Sequence, residues 1–161
     1  RRGDAAPKDY TKILHDARPD EDNEYYMIFS PGEDGKFTAQ YGYSDSYDAA
    51  QLDEEIRNML LPLLNLEEDM YTDFAASVSG MMVQSYGIAI VKPAEGKQQA
   101  VSEALDAYVQ SQMQGMEHYL EDQYQIAASS HISTAPTGEV ILVCCENPEA
   151  VMNAIKTALA A

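Results

Sequence analysis

Tryptophan is absent from this 161-residue chain, and phenylalanine (3), histidine (3) and cysteine (2) are scarce. Positive charge is equally thin, with 10 Lys and Arg against 27 Asp and Glu and a formal net charge of −17. Beyond Arg57 only Lys92, Lys97 and Lys156 are basic. A chain that binds nucleic acid needs a basic stripe to neutralise phosphates, so that class is excluded. Attraction to an anionic membrane surface is disfavoured for the same reason. No apolar run reaches the roughly 18 residues of a spanning helix. The two cysteines, Cys144 and Cys145, are adjacent within VILVCC. Neighbours on a strand point to opposite faces, so the thiols diverge and a disulfide between them would be strained. Neither belongs to a CxxC pair, so both read as small buried hydrophobes rather than redox or zinc groups.

The missing chemistry extends to motifs. GxSxG, GxGxxG, GxxxxGK and HExxH do not occur, which leaves no nucleophile elbow, phosphate loop or metalloprotease helix to argue from. The densest acidic run, Asp20, Glu21, Asp22 and Glu24, lacks the sixth-position Gly and twelfth-position Glu of a calcium loop. His15, His118 and His131 are far apart in sequence and have no zinc-ligand spacing. His131, in SSHIS among hydroxyl side chains, reads by default as a strand-surface histidine, with service as a base the alternative. Paired carboxylates abound only because acids abound. No catalytic, cofactor-binding or metal-ligating residue is therefore assigned.

What is present is an ordinary globular composition, 45% hydrophobic and 23% charged, in a length that suits one domain. The acid excess is spread out, with 17 acids and 7 bases in residues 1–70 and 10 acids and 3 bases in 71–161. Such a coat keeps a protein soluble and separate. The chain opens Arg1-Arg2-Gly3-Asp4 without Met, which reads as a trimmed or mature end and carries no evidence for a cytoplasmic home. Residues 1–24 are polar, with Pro7 and Pro19, and read as a linker or tether, with a short helical turn over Tyr10 to Ala17.

From residue 25 the patterning predicts structure. YYMIF, the turn formers PGEDG, and alternating KFTAQYGY predict a β-hairpin over 25–43. A helix is expected over 46–61, capped by Ser46 or Asp48, with Leu52, Ile56, Met59, Leu60 and Leu63 on one face and Pro62 ending or kinking it. Strands follow at 72–83 and 86–92. A long helix over 95–121 carries Val101, Leu105, Tyr108, Val109, Met113, Met116, Tyr119 and Leu120 at helical spacing, with Gly115 as its weak point. A second hairpin, 126–134 and 139–145, leads to a last helix capped by Asn147 and opened by Pro148. This order predicts an α+β domain over 25–161, an antiparallel sheet of four or more strands with helices packed on one face.

From about residue 45 to 160 the chain resembles an uncharacterised bacterial domain of unknown function. The resemblance is carried by LLPLLNLEED followed by Tyr71, by YGIAIVK closing on Lys92, by Gln110 and Gln112, by Tyr119, Gln123 and Tyr124 in YLEDQY, and by VILVCC. Gly87 stands where that family often has an acid. The family occurs mainly in lipoproteins of Gram-positive anaerobes. It thus implies an extracytoplasmic domain on the outer face of a bacterial membrane, held only through a lipid anchor, and implies no activity.

Tyrosine is the unusual count, 11 in all, with Tyr25, Tyr26, Tyr41, Tyr43 and Tyr47 around the predicted hairpin. Tyr joins apolar area to a polar tip and suits surfaces that bind proteins, peptides or glycans. It equally fills half-buried strand positions. Met81, Met82, Met113 and Met116 read as core fillers. The resulting expectation is a non-catalytic binding or scaffolding module without a cofactor. The alternatives are an envelope hydrolase using carboxylates or His131, and a structural subunit of an envelope assembly.

Overall fold

The computed structural model describes residues 8–81 and 83–161, so the reading of Met82 as core lies outside the described residues, as does the linker reading of residues 1–7. The strands are β1 (Ile28–Pro31), β2 (Phe37–Gln40), β3 (Tyr71–Val78), β4 (Gly87–Pro93), β5 (His131–Thr134) and β6 (Val140–Cys144). They form one six-stranded sheet in the order β2-β1-β3-β4-β6-β5, every neighbouring pair antiparallel. The helices are α1 (Tyr10–Ala17), α2 (Asp20–Tyr25), α3 (Ala49–Glu55), α4 (Leu61–Leu63), α5 (Gln98–Met116), α6 (Glu121–Ala128) and α7 (Pro148–Ala160). The α+β class and the hairpin at 25–43 stand as expected.

Helices cover both faces of the sheet, not one. Phe74, Ala76, Ala89, Val91, Val140, Leu142 and Cys144 point to a core shared with Leu52, Ile56, Leu60, Val101, Leu105 and Tyr108. Their neighbours Ala75, Ile88, Ile90, Ile141, Val143 and Cys145 point to a second core with Tyr10, Leu14, Val151, Met152 and Ile155. The reason is legible in the strands themselves. GIAIV and VILVC carry no polar side chain and FAASV only Ser77, whereas an antiparallel sheet with only one covered face would alternate apolar and polar. Cys144 and Cys145 are both buried, one in each core, as their adjacency requires.

The linker reading fails for residues 8–24. Tyr10 and Leu14 are buried, Leu14 completely. Tyr10, Ile13, Leu14 and Ala17 make one narrow apolar stripe at helical spacing, and Asp9 caps the helix by accepting from the Lys12 N–H at 3.1 Å. Average polarity over the segment hid that stripe.

Three helix boundaries also differ. Pro62 neither ends nor sharply stops its helix. Between α3 and α4 the chain makes a wide π turn over Ile56–Leu60, and the Leu61 N–H bonds back to the Ile56 carbonyl. That register moves the preceding carbonyls away from the Pro62 ring, which would otherwise clash four residues back. Asp48 and Gln51 form a reciprocal capping box at the start of α3. The long helix stops at Met116, just past Gly115; His118 then takes φ 65°. The chain restarts as α6, so residues 126–128 are helical, Tyr119 is exposed, and β5 begins only at His131. Asn147 occupies the cap position of α7, but its side chain makes no capping bond.

Candidate binding groove

The tyrosines that the sequence gathers around the hairpin are brought to one end of the sheet by a close backbone crossing. After β2 the chain reverses through two consecutive left-handed residues, Tyr41 (φ 71°) and Gly42 (φ 57°). The Gly42 N–H donates to the Asn23 carbonyl at 2.9 Å. A Cβ on Gly42 would stand 2.6 Å from the Met27 nitrogen and 2.8 Å from the Tyr26 carbonyl carbon. Only glycine lets the two segments touch there. The crossing sets Tyr43, which leads into a short 3-10 turn over Ser44–Ser46, beside Tyr25 and Tyr26.

The opposite wall comes from the helical side of the domain and from the end of β3. Tyr25, Tyr26, Met27, Tyr43, Tyr47, Glu55, Leu60 and Val78–Met81 enclose an apolar groove of about 240 Å³. Tyr25, Tyr43 and Met81 are 56%, 61% and 62% exposed, far above what a core position shows. Met81 is thus not the core filler expected of it. A second trough of about 470 Å³, lined by Ser46, Tyr47, Gln51, Glu54, Glu55, Asn58 and Met59, shares Tyr47 and Glu55 with the first.

The floor of the groove is rigid. The Tyr26 ring stacks on Tyr86 at 4.0 Å and 6°, and its hydroxyl donates to Gln84 Oε1 at 3.2 Å. Beneath them lies Arg18, buried at 4% exposure. Its guanidinium donates to Asn23 Oδ1 (2.6 Å), Ser77 Oγ (2.9 Å), the Tyr86 hydroxyl (3.0 Å) and the Tyr26 carbonyl (2.6 Å). Ser77 in turn donates to the Met27 carbonyl at 2.7 Å. A buried guanidinium must fill its donors, and here it does so by tying the 23–26 segment, which carries Tyr25 and Tyr26, to Ser77 of β3 and to Tyr86 before β4. Burial pushes the Tyr26 phenol above its ordinary value, and the neighbouring acids Asp22 and Glu146 add to it. The phenol therefore stays protonated at neutral pH.

The other singled-out residues do not converge. His131 lies exposed at the sheet edge, in an open concavity of about 760 Å³, with Cys145, Glu146 and Glu149. Among the described residues no hydrogen bond joins any two of these side chains. Burial pushes the Cys145 thiol up to about 11, the opposite of what a nucleophile needs. His15 rests against the Tyr41 ring at 4.5 Å, while His118 is exposed in the α5–α6 turn. Asp20, Glu21 and Asp22 form the first turn of α2. No group of three His, Cys, Asp or Glu side chains suited to a metal occurs among the described residues.

A model of the DUF4358 domain of unknown function matches residues 44–146. The chain belongs to that family. No curated protein and no solved structure matches the chain. The matched span begins at Ser44 and so cuts through the groove. Tyr47, Glu55, Leu60 and Met81 belong to the DUF4358 domain, whereas Tyr25, Tyr26 and Tyr43 come from the hairpin segment before it. The span also ends before α7. One position that carries the family likeness and one that departs from it have structural work here. Gln123 accepts from the Ser85 N–H at 2.8 Å, tying α6 to the loop before β4. Gly87 faces Tyr108, whose Cζ would lie 2.8 Å from an added Cβ, so an acid has no room at this position in this chain.

Proposed function

We propose that this domain is a non-catalytic binding module and that the tyrosine-lined groove is its recognition surface. The single observation that supports this most is the exposure of Tyr25, Tyr43 and Met81 over an anchored floor. A small domain gains nothing in stability from apolar side chains left in water, and exposed aromatic clusters mark interaction sites. Rigid tyrosines lose little entropy on contact, which suits them to bind a protein, peptide or glycan. The concavity at His131 offers no competing chemistry, because among the described residues its titratable groups are not hydrogen-bonded to one another and its thiol is held protonated.

The reading extends to location. The domain belongs to an extracytoplasmic lipoprotein and is held to the outer face of a bacterial membrane by a lipid anchor N-terminal to the folded body, which has begun by Lys8. The resemblance drawn from YGIAIVK and YLEDQY supports this, as does an acidic coat that is repelled by an anionic leaflet. Protease treatment of intact cells expressing the full-length protein tests the location; a protected domain would contradict it.

The binding function is tested by selection of ligands from displayed random peptides and from a glycan array on the full chain. The Tyr43→Ser/Tyr47→Ser variant serves as the counter-screen. Ligands that need both tyrosines support the groove. Ligands that bind the variant equally well would place recognition elsewhere.

A further inference from the structure

We infer that the natural occupant of the groove is a basic, apolar peptide segment, which places a lysine or arginine in the trough at Glu54 and Glu55 and an aromatic or aliphatic side chain between the tyrosines. This rests on the reading of the groove as the recognition surface and adds the chemistry of what fills it.

Two adjoining concavities of unlike character carry the inference. The groove is walled by Tyr25, Tyr43, Tyr47, Leu60 and Met81, and Glu55 is its one charged lining residue. The trough joined to it through Tyr47 and Glu55 is mixed and carries the acids, with Glu54, Gln51 and Asn58 supplying acceptors beside Met59. Among the described residues no lysine or arginine lines either one. The nearest base on this helix, Arg57, points away: it pairs with Asp53 at 3.0 Å and lies over the Phe37 ring at 4.8 Å. Among the described residues Glu54 and Glu55 have no ion-pair partner. Within the described residues their negative charge therefore stands beside an aromatic surface without a pairing base. A cation there meets both a carboxylate and the negative face of Tyr47.

The shape selects a peptide over a free cation. A small ion would occupy the trough and leave the aromatic groove wet. An occupant that covers both must carry a charge and an apolar group a few ångströms apart, which neighbouring side chains of an extended chain supply. A second copy of this chain is disfavoured, because each copy carries a net charge of −17.

The test titrates the full chain, uniformly ¹⁵N-labelled, with three blocked tetrapeptides at physiological salt. One has two lysines followed by leucine and phenylalanine; one replaces the lysines by glutamates; one keeps the lysines and replaces the apolar pair by serine and glycine. The expected result is saturable shifts at Tyr25, Tyr47, Glu55 and Met81 with the first peptide only. Affinity should fall about fivefold or more in the Glu54→Gln/Glu55→Gln variant and in high salt. Equal binding of the acidic peptide in the groove would overturn the cation preference and leave the groove reading standing. Shifts scattered over the acidic surface with both lysine peptides would overturn the inference as unspecific attraction. Absence of groove shifts with all three would overturn it as well, and the ligand selection described above then decides separately whether the groove binds at all.

Discussion

The Tyr10 hydroxyl donates to Glu139 Oε2 at 2.7 Å across 129 positions of sequence, and both residues are buried. Thr137 donates to the other carboxylate oxygen, and Lys8 stands 3.9 Å away. The contact pins α1, which precedes the family-matched span, to the β5–β6 hairpin. Burial alone would raise the Glu139 carboxyl, but the hydrogen bonds from Thr137 and Tyr10 and the nearby Lys8 outweigh it, and the group sits below its ordinary value.

Removing the Tyr10 donor leaves a buried carboxylate one partner short. Tyr10→Phe keeps the ring in the core and is expected to cost about 1.5–3 kcal/mol, the range for a hydrogen bond to a charged group. Urea denaturation at neutral pH measures it. Tyr10→Phe with an unchanged midpoint would show that the contact contributes nothing.

The lowered carboxyl also fixes the sign of a pH effect. Its contribution to stability is fully present above the unfolded value of a glutamate, about 4.3, and is lost as pH falls through the lower folded value. Glu139→Gln should flatten that part of the acid limb in a stability–pH profile and leave its shape above pH ~6 unchanged. An acid limb identical to the native one would show that other groups set it.

Gly87 faces the Tyr108 ring, and Tyr108 donates to the Tyr86 carbonyl at 3.2 Å. Gly87→Ala forces the ring off this position, with an expected cost of about 1–3 kcal/mol from overpacking. Measured against Tyr108→Leu alone, the double variant Gly87→Ala/Tyr108→Leu should recover part of it, since leucine withdraws the ring. Non-recovery, measured by thermal unfolding, would locate the strain in the backbone instead.

Both thiols should be silent in the folded protein. Burial raises Cys144, and it raises Cys145 to about 11. A thiol reagent at pH 8 is expected to label neither cysteine within minutes in native buffer and both in urea. Fast native labelling of Cys145 would show the concavity at α7 to be open to chemistry.

Much of the fold was legible in local patterning. The Asp48–Gln51 box, the β1–β2 hairpin and the apolar strand VILVC needed only a few adjacent residues. The second layer of helices was missed, although the unbroken apolar strands GIAIV and VILVC carry its signal. Segments whose signal is diluted were not legible. Leu14 and Tyr10 are buried within a stretch that is polar on average. Gly115 marked the weak point of the long helix, but the left-handed residue that turns the chain there is His118, which nothing in the local pattern singles out. The groove was half legible. Tyr25, Tyr43 and Tyr47 stood out by count, but Leu60 and Met81 join them only because β1 pairs with β3. Arg18 gave no warning, since its partners Ser77 and Tyr86 lie 59 and 68 positions away.

The tyrosine-lined groove as the recognition surface is tested most directly by mapping amide shifts in the full chain with the tightest ligand returned by the selection. A binding groove predicts perturbations centred on Tyr25, Tyr43, Tyr47 and Met81, abolished in Tyr43→Ser/Tyr47→Ser while that variant's stability stays within about 0.5 kcal/mol of the native value. Perturbations centred on His131, Glu146 and Glu149, unaffected by the same variant, would contradict it.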